Sequence, residues 1–469
     1  MKQAEFDHCI EPLLSQVPQS VVALRNNILN VLDQRIMLAR KGLDKFARAR
    51  RLKPVQKIQF SLLEKKDVEK AIKAVEATVE TFTTNQKTIL GYLRTNDTQI
   101  DKELERTALV AERFFREAKR VDKNTNPRPI LLDFEVFIQF KGQEIPFSCG
   151  AKWAYYPEDP KSLCIVDSNA NIPAVGVEYE DAKELALKLH NASPEEFGLL
   201  PCRGVVRHPK GRTHPRRDIT LVFKFPQEYN SVNSLRRLLL ETQVGLAKAP
   251  QGRLDRLAMA KHLVKAVFSV HLYDFVHKNI RPETLMCFGT VAEEQSGRLP
   301  QNAFLIGFEV MRIARGESDR AQTRSAQEAA NLYHHPQRLH DDSKRYLTEH
   351  DVYSLGVCLL EIGLWRSFVT YDGHGARVGN DLRLPDGRIP SADAIKDHFV
   401  NLAGSELVAA MGFEYREVVR RCLTCLDGEN GWTTQRDGLT DPDVVGVMAR
   451  SAYTKNVLSR INNIMDMDV

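Results

Sequence analysis

The residues that could do chemistry gather in two short stretches. "FVHKNIRPETLMCF" (275–288) sets His277, Asn279, Arg281 and Thr284 between apolar runs, and "LIGFE" (305–309) follows with Gly307 and Phe308. Their types are telling for what they lack. Asn279 is an amide that takes no proton near pH 7, Thr284 offers only a hydroxyl, and Gly307 has no side chain. The one CxxC, Cys422 and Cys425, has no second pair and no nearby His set, so helix packing is a better reading than zinc or redox chemistry. The eight cysteines, at 9, 149, 164, 202, 287, 358, 422 and 425, include several inside apolar runs such as "SLCIV" and "GVCLLEI". Cysteine there behaves as a small buried hydrophobe, which favours a reducing compartment over a disulfide framework.

The elements that must position these residues fall into three textures. A chain of 469 residues, 43% hydrophobic and 27% charged, is expected to fold as two or three globular domains. Residues 1–120 carry apolar positions at helical spacing, as in "DVEKAIKAVEATVETF", where Val68, Ile72, Val75, Val79 and Phe82 step by three or four. A helical bundle is expected there. "VDKNTNPRPI" combines turn formers with two prolines and marks a linker at 121–129. From 130 to 226, "FEVFIQF", "PAVGVEY" and "DITLVFKF" read as short strands and "EDAKELALKLH" as one helix. From 227 to 469, long apolar helices such as "DVYSLGVCLLEIGLW" dominate. The fold class expected is α+β and multidomain.

That order, and five motifs along it, resemble a protein kinase domain. "HKNIRPETL" stands at the catalytic loop written HRDLKPEN, "LIGFE" at DFG, and "LYHHPQ" at the APE end of the activation segment. "DVYSLGVCLLEIGLW" is similar to the buried spine helix with its Asp351 and Gly356, and "VVRRCLTC" to the late helix ending in Arg-Cys-Leu. The resemblance implies a bilobal kinase-like domain with an N-lobe at 130–226 and a C-lobe at 227–469. It also implies that the chemistry is gone. Phosphoryl transfer depends on positioning and charge neutralisation. The proton acceptor falls on Asn279, the two metal ligands on Thr284 and Gly307, and the loop lysine on Arg281. "VGVE" (175–178) is the best match to the VAIK strand and puts Glu178 where a lysine should meet phosphate; Glu184 is then the helix partner of that missing lysine. Gly142 and Gly150 lie too far apart for a phosphate-covering glycine turn. Architectural positions are retained: Glu184, His277, Phe308, Asp351 and Gly356. The expectation is a catalytically inactive pseudokinase, not an enzyme, with no catalytic residues, metal or cofactor. The alternative is an atypical active Ser/Thr kinase binding ATP and magnesium, with Glu309 holding metal in a shifted register.

"RRLKPVQKIQFSLLEKKDVEKAIKAVEATVETF" (50–82) resembles the latter half of the fungal HeLo-type helical domain of incompatibility and prion-associated proteins. Joined to a degenerate kinase domain, it implies signalling of the cell-death or immune type, with protein partners and self-association through the helical domain. The family's membrane-disrupting first helix has no counterpart here: residues 1–25 contain Pro12 and Pro18 and no long apolar run. A membrane-acting effector is a further alternative. The basic run 40–57, eight Lys or Arg against one Asp, reads as a solvated helix face or as a contact for anionic lipid. "RHPKGRTHPRR" (207–217) has no interleaved aromatics, and with a net charge of only +5 no nucleic-acid partner is expected. No apolar run reaches the roughly 18 residues of a membrane span, and the N-terminus lacks a signal-peptide core, so a cytoplasmic protein with at most peripheral membrane contact is expected. Ser318, Thr323 and Ser325, set among arginines, are candidate regulatory phosphosites.

Overall fold

The chain divides into two compact units, Met1–Arg120 and Val121–Val469. A computed structural model describes residues 131–168, 177–208, 219–245, 252–296, 300–308, 311–312, 324–340, 346–427, 432 and 452–467, apart from a few single positions within them. The expected helical bundle of 1–120, its HeLo-like stretch and the basic run 40–57 lie outside the described residues.

The second unit is a mixed α+β domain. Its sheet has six strands: β1 (Leu131–Leu132), β2 (Gly142–Glu144), β3 (Ala151–Tyr156), β4 (Asp159–Asp167), β5 (Cys202–Arg207) and β6 (Ile219–Lys224). They run in the order β1-β5-β6-β4-β3-β2, antiparallel except where β1 joins β5. Alternation decides the faces. Ala154, Cys164, Val166, Val206 and Val222 pack on one side, under Leu132, Phe134 and Phe137. "FEVFIQF" is thus not the strand its composition suggests. Phe134–Phe137 make one helical turn, α1, because that places both rings against His208, at 5.3 and 5.2 Å. Tertiary packing outweighs local β-propensity here.

Helix α2 (Val177–Leu189) crosses to the sheet with Ala182, Leu185, Ala186 and Leu189 buried, a three-to-four residue stripe. Of the strand expected at "PAVGVEY", Val177, Glu178 and Tyr179 are helical, and the residues before them lie outside the described residues. The helical period extends back to Val177, so Glu178 enters the first turn of α2 and does not end a strand.

Below lie helices α3 (Leu235–Gln243), α4 (Arg253–Leu272), α5 (Arg324–Asn331), α6 (Thr348–Leu364), α7 (Ala392–Gly404), α8 (Phe413–Leu423) and α9 (Ser459–Met467). They enclose a three-stranded sheet in the order β10-β9-β7, from β7 (Ser231–Ser234), β9 (Leu285–Gly289) and β10 (Asn302–Leu305). Two small pairs complete it: β8 (Phe275–Val276) with β11 (Met311–Arg312), and β12 (Val369–Asp372) with β13 (Gly375–Val378). Helix α6 is buried from Thr348 to Gly363 and packs on α4 and α8. Gly356 sets the closeness of one crossing: a Cβ there would sit 2.8 Å from Cys422 Cβ. Cys422 and Cys425 are both buried, and burial pushes each thiol pKa up, so they pack as hydrophobes. No helix among the described residues is long and apolar enough to cross a membrane.

One polar cluster joins these helices. The Arg236 side chain on α3 is fully buried; its guanidinium donates to Glu283 Oε1 at 3.0 Å, to Glu361 Oε1 on α6 at 2.8 Å, and to Ser367 and Tyr333. Tyr333 donates in turn to Glu361, and Tyr371 on β12 to Glu283. Burial alone would lower the Arg236 pKa, but the two carboxylates hold it well above the usual range. Removing one partner from such a network strands the rest, at about 3–5 kcal/mol. Arg236→Met is therefore expected to lower the stability of this domain by that amount in chemical denaturation. The double variant Arg236→Met with Glu361→Gln should recover part of it.

Candidate functional site

The loop after β8 is held from below by one carboxylate. Asp351, in the first turn of α6 and fully buried, accepts the His277 amide at Oδ2 (2.7 Å) and the Lys278 amide at Oδ1 (2.9 Å). Tyr346 donates its hydroxyl to Oδ1 and His271 Nε2 lies 3.1 Å from Oδ2. Burial works to raise the Asp351 pKa, yet these donors hold it below the usual carboxylate range. They also fix Lys278 at φ 65°, a left-handed conformation that non-glycine residues seldom adopt. His277 is buried above it. Its Nε2 lies 3.1 Å from the Ile306 carbonyl, and its Nδ1 accepts the Asn279 amide at 3.3 Å. Phe308 packs its ring 4.6 Å from that imidazole and 6.2 Å from Phe223 of β6. His277, Asp351 and Phe308 thus meet in one buried brace, while Gly356 lies deeper, between helices.

The reactive end of the loop is occupied by its own residues. Asn279 donates its Nδ2 to the Gly307 carbonyl at 3.0 Å. Thr284, fully buried, donates its hydroxyl toward the Asn279 and Arg281 carbonyls, at 2.8 and 2.9 Å. Gly307 stands at φ +79°, and a Cβ built on it would lie 2.5 Å from Thr284 Cγ2. A side chain at 307 has nowhere to go. The space that a Cβ at 307 would take is filled by the Thr284 methyl.

An acid missed in the sequence completes the site. Asp167, the last residue of β4 and 1% exposed, accepts the Gly307 amide at Oδ2, 2.7 Å away. β4 ends at Asp167, whereas Glu178 lies in the first turn of α2. The sequence signal for Asp167 was "SLCIVD", an apolar run ending in an acid. Glu184 on α2 pairs with Lys188 at 3.1 Å, and Lys188 reaches the Tyr273 carbonyl at 2.9 Å.

The sheet also closes onto this loop. Residues 145–150 form the tip between β2 and β3, including Gly150 at φ +86°. The Cys149 amide donates to the Glu283 carbonyl at 3.2 Å, and Arg281 Nη2 donates to Cys149 Sγ at 2.9 Å. Ser234 donates its hydroxyl to the Pro146 carbonyl at 2.6 Å. Among the described residues, no group of three His, Cys, Asp or Glu side chains is placed to hold a metal ion. Ser325 sits half-buried in the first turn of α5. Glu309, Ser318 and Thr323 lie outside the described residues.

No protein-family model and no curated protein matches the chain. Among solved structures it is similar to the kinase domain of maize SIRK1, sucrose-induced receptor kinase 1, bound to AMP-PNP. The similarity has 13% identity and a TM-score of 0.42, over 71% of this chain and 96% of that one.

Two outcomes test the site. Gly307→Ala should cost about 1–3 kcal/mol by overpacking. Thr284→Ser keeps the hydroxyl but removes the methyl, so in the double variant it should return part of that loss; simple additivity would contradict the contact. Separately, burial pushes His277 to about 4, and His335 to about 4 and His350 to about 3 likewise. The unfolded chain takes these protons below about 6.5 while the folded chain refuses them. Stability should therefore be full above pH 6.5 and fall as pH drops toward 4. A melting temperature unchanged between pH 7 and 4.5 would contradict this.

Proposed function

We propose that residues 121–469 are a kinase-shaped domain that transfers no phosphate and serves as a binding platform or switch. In this reading the helical HeLo-like module of residues 1–120 is the part it controls, in signalling of the cell-death or immune type. The proposal draws on the five kinase-like motifs in order and on the brace built by His277, Asp351 and Phe308.

A single arrangement carries the inactive reading: Gly307, its Cβ direction filled by Thr284, with its amide bound to the Asp167 carboxylate. A nucleotide triphosphate with magnesium does not fit these residues. Asp167 is an anion where a cation should neutralise phosphate, and two like unit charges 4 Å apart repel by about 4 kcal/mol at an effective dielectric near 20. Asn279 spends its amide on the Gly307 carbonyl and has no basic atom for a substrate proton. Electrostatic groups of this kind are each worth about 10²- to 10³-fold in rate, so losing several together removes measurable turnover.

The full chain incubated with γ-labelled ATP and Mg²⁺ or Mn²⁺ is expected to label neither itself nor generic protein substrates. Its melting temperature should hardly move with ATP, because stabilisation requires binding to the folded form. Phosphate transfer that disappears on substitution of Asn279 or Asp167 would overturn the reading.

A further inference from the structure

Cys149 sits apart from the other described cysteines. Cys164, Cys202, Cys287, Cys358, Cys422 and Cys425 are buried, and burial pushes each thiol pKa up, to about 12 at Cys164 and Cys202. Among the described residues, none of these six sulfurs accepts a bond from a charged group; those of Cys164, Cys202 and Cys425 donate to backbone carbonyls. Cys149 is half-buried, with Pro146 and Phe147 exposed ahead of it. Its sulfur receives Arg281 Nη2 at 2.9 Å. Its amide donates to the Glu283 carbonyl at 3.2 Å, which fixes the backbone that carries the thiol.

Arg281 is the other half of this arrangement. Glu283, two positions on, gives Oε1 to Arg236 and Tyr371 and Oε2 to Arg236. Among the described residues, Cys149 is thus the one side chain to which the Arg281 guanidinium is hydrogen-bonded. Burial works to lower the Arg281 pKa, but the Cys149 sulfur and then Glu283 hold it above the usual arginine range. A guanidinium so placed favours the thiolate, the form of cysteine that reacts. A second signal is independent of the sulfur. The Arg281 Nε–H is buried and has no acceptor among the described residues. Buried donors are nearly always satisfied. One left open on the group that holds a nucleophile suits a small ligand that brings its own oxygen acceptor.

We propose that Cys149 is a modification site at which a hydroperoxide oxidises the sulfur, with Arg281 holding the thiolate and donating to a peroxide oxygen. The thiolate attacks one peroxide oxygen. The S–O bond forms as the O–O bond breaks, and sulfur gives up two electrons to the oxygens. The product is a sulfenic acid at Cys149. The departing hydroxide or alkoxide takes its proton from solvent. None of this requires phosphate transfer, so the site stands apart from the inactive reading above.

Reduced full-length protein would be treated with hydrogen peroxide and dimedone, which traps sulfenic acid, and each labelled cysteine assigned by peptide mass spectrometry. Cys149 should label about tenfold faster than any of the six buried cysteines, since thiolate character and exposure set susceptibility. Equal rates overturn the proposal. Alkylation by iodoacetamide then isolates the part played by Arg281. A free cysteine titrates near 8.5, so only about 1% is thiolate at about pH 6.5. Arg281→Met should therefore slow Cys149 about fivefold at that pH, allowing for the nucleophilicity that a stabilised thiolate gives up. At about pH 9.5 both proteins carry the thiolate and the less stabilised one is the better nucleophile, so the variant should match or exceed the wild type. A rate that Arg281→Met leaves unchanged, or alters by the same factor at both pH values, overturns the proposal, because exposure alone would do that. Should Arg281→Met unfold the domain, seen as alkylation of all six buried cysteines, the wild-type profile decides. A Cys149 rate that levels off below about pH 8 upholds the proposal, and one still climbing through about pH 9 overturns it.

Discussion

A fully buried guanidinium organises the lower half of this domain. Arg236 must be matched by charge on every side, because an uncompensated buried ion costs several kcal/mol. Its partners come from places far apart in the chain: Glu283 in the loop after β8, Tyr333 ahead of α6, Glu361 within α6, and Ser367 ahead of β12. Burial works to raise the Glu283 pKa, but Arg236 and Arg281 together hold it down, whereas burial pushes Glu361 up. Two arginines face two glutamates, and the cluster is balanced only when all four segments are in place.

The loop that carries His277, Asn279 and Thr284 is therefore fixed twice, by Glu283 at one end and by Asp351 at the other. Such rigidity would serve catalysis if the loop presented reactive groups. Here it presents an amide turned onto a carbonyl, a hydroxyl turned onto two more, and a methyl packed against a glycine. The loop's polar side chains are thus spent on holding its own backbone.

Much of this was legible in the sequence where side-chain type and spacing act locally. The apolar period of α6 follows from residue type and spacing, whereas a brace from Asp351 to the loop "HKNIRPETL" was implied only by the resemblance to a kinase domain. Strand register was not legible, since "VGVE" and "CIVD" are comparable apolar runs and only pairing with β6 and β3 selects the second. Nor was Arg236, which in "SLRRLLLET" looks like any surface arginine beside Arg237. Its burial depends on Glu283 and Glu361, 47 and 125 residues away. The one-turn helix at Phe134 was hidden for the same reason: His208, its packing partner, lies on the far side of β4 and α2 in sequence.

The contact between Gly307 and Thr284 makes the two positions interdependent. Any side chain introduced at 307 meets a steric collision, because the Thr284 methyl holds the volume that a Cβ there requires. A smaller residue at 284 opens that volume but places nothing in it. The identity of one residue therefore limits what the other can be.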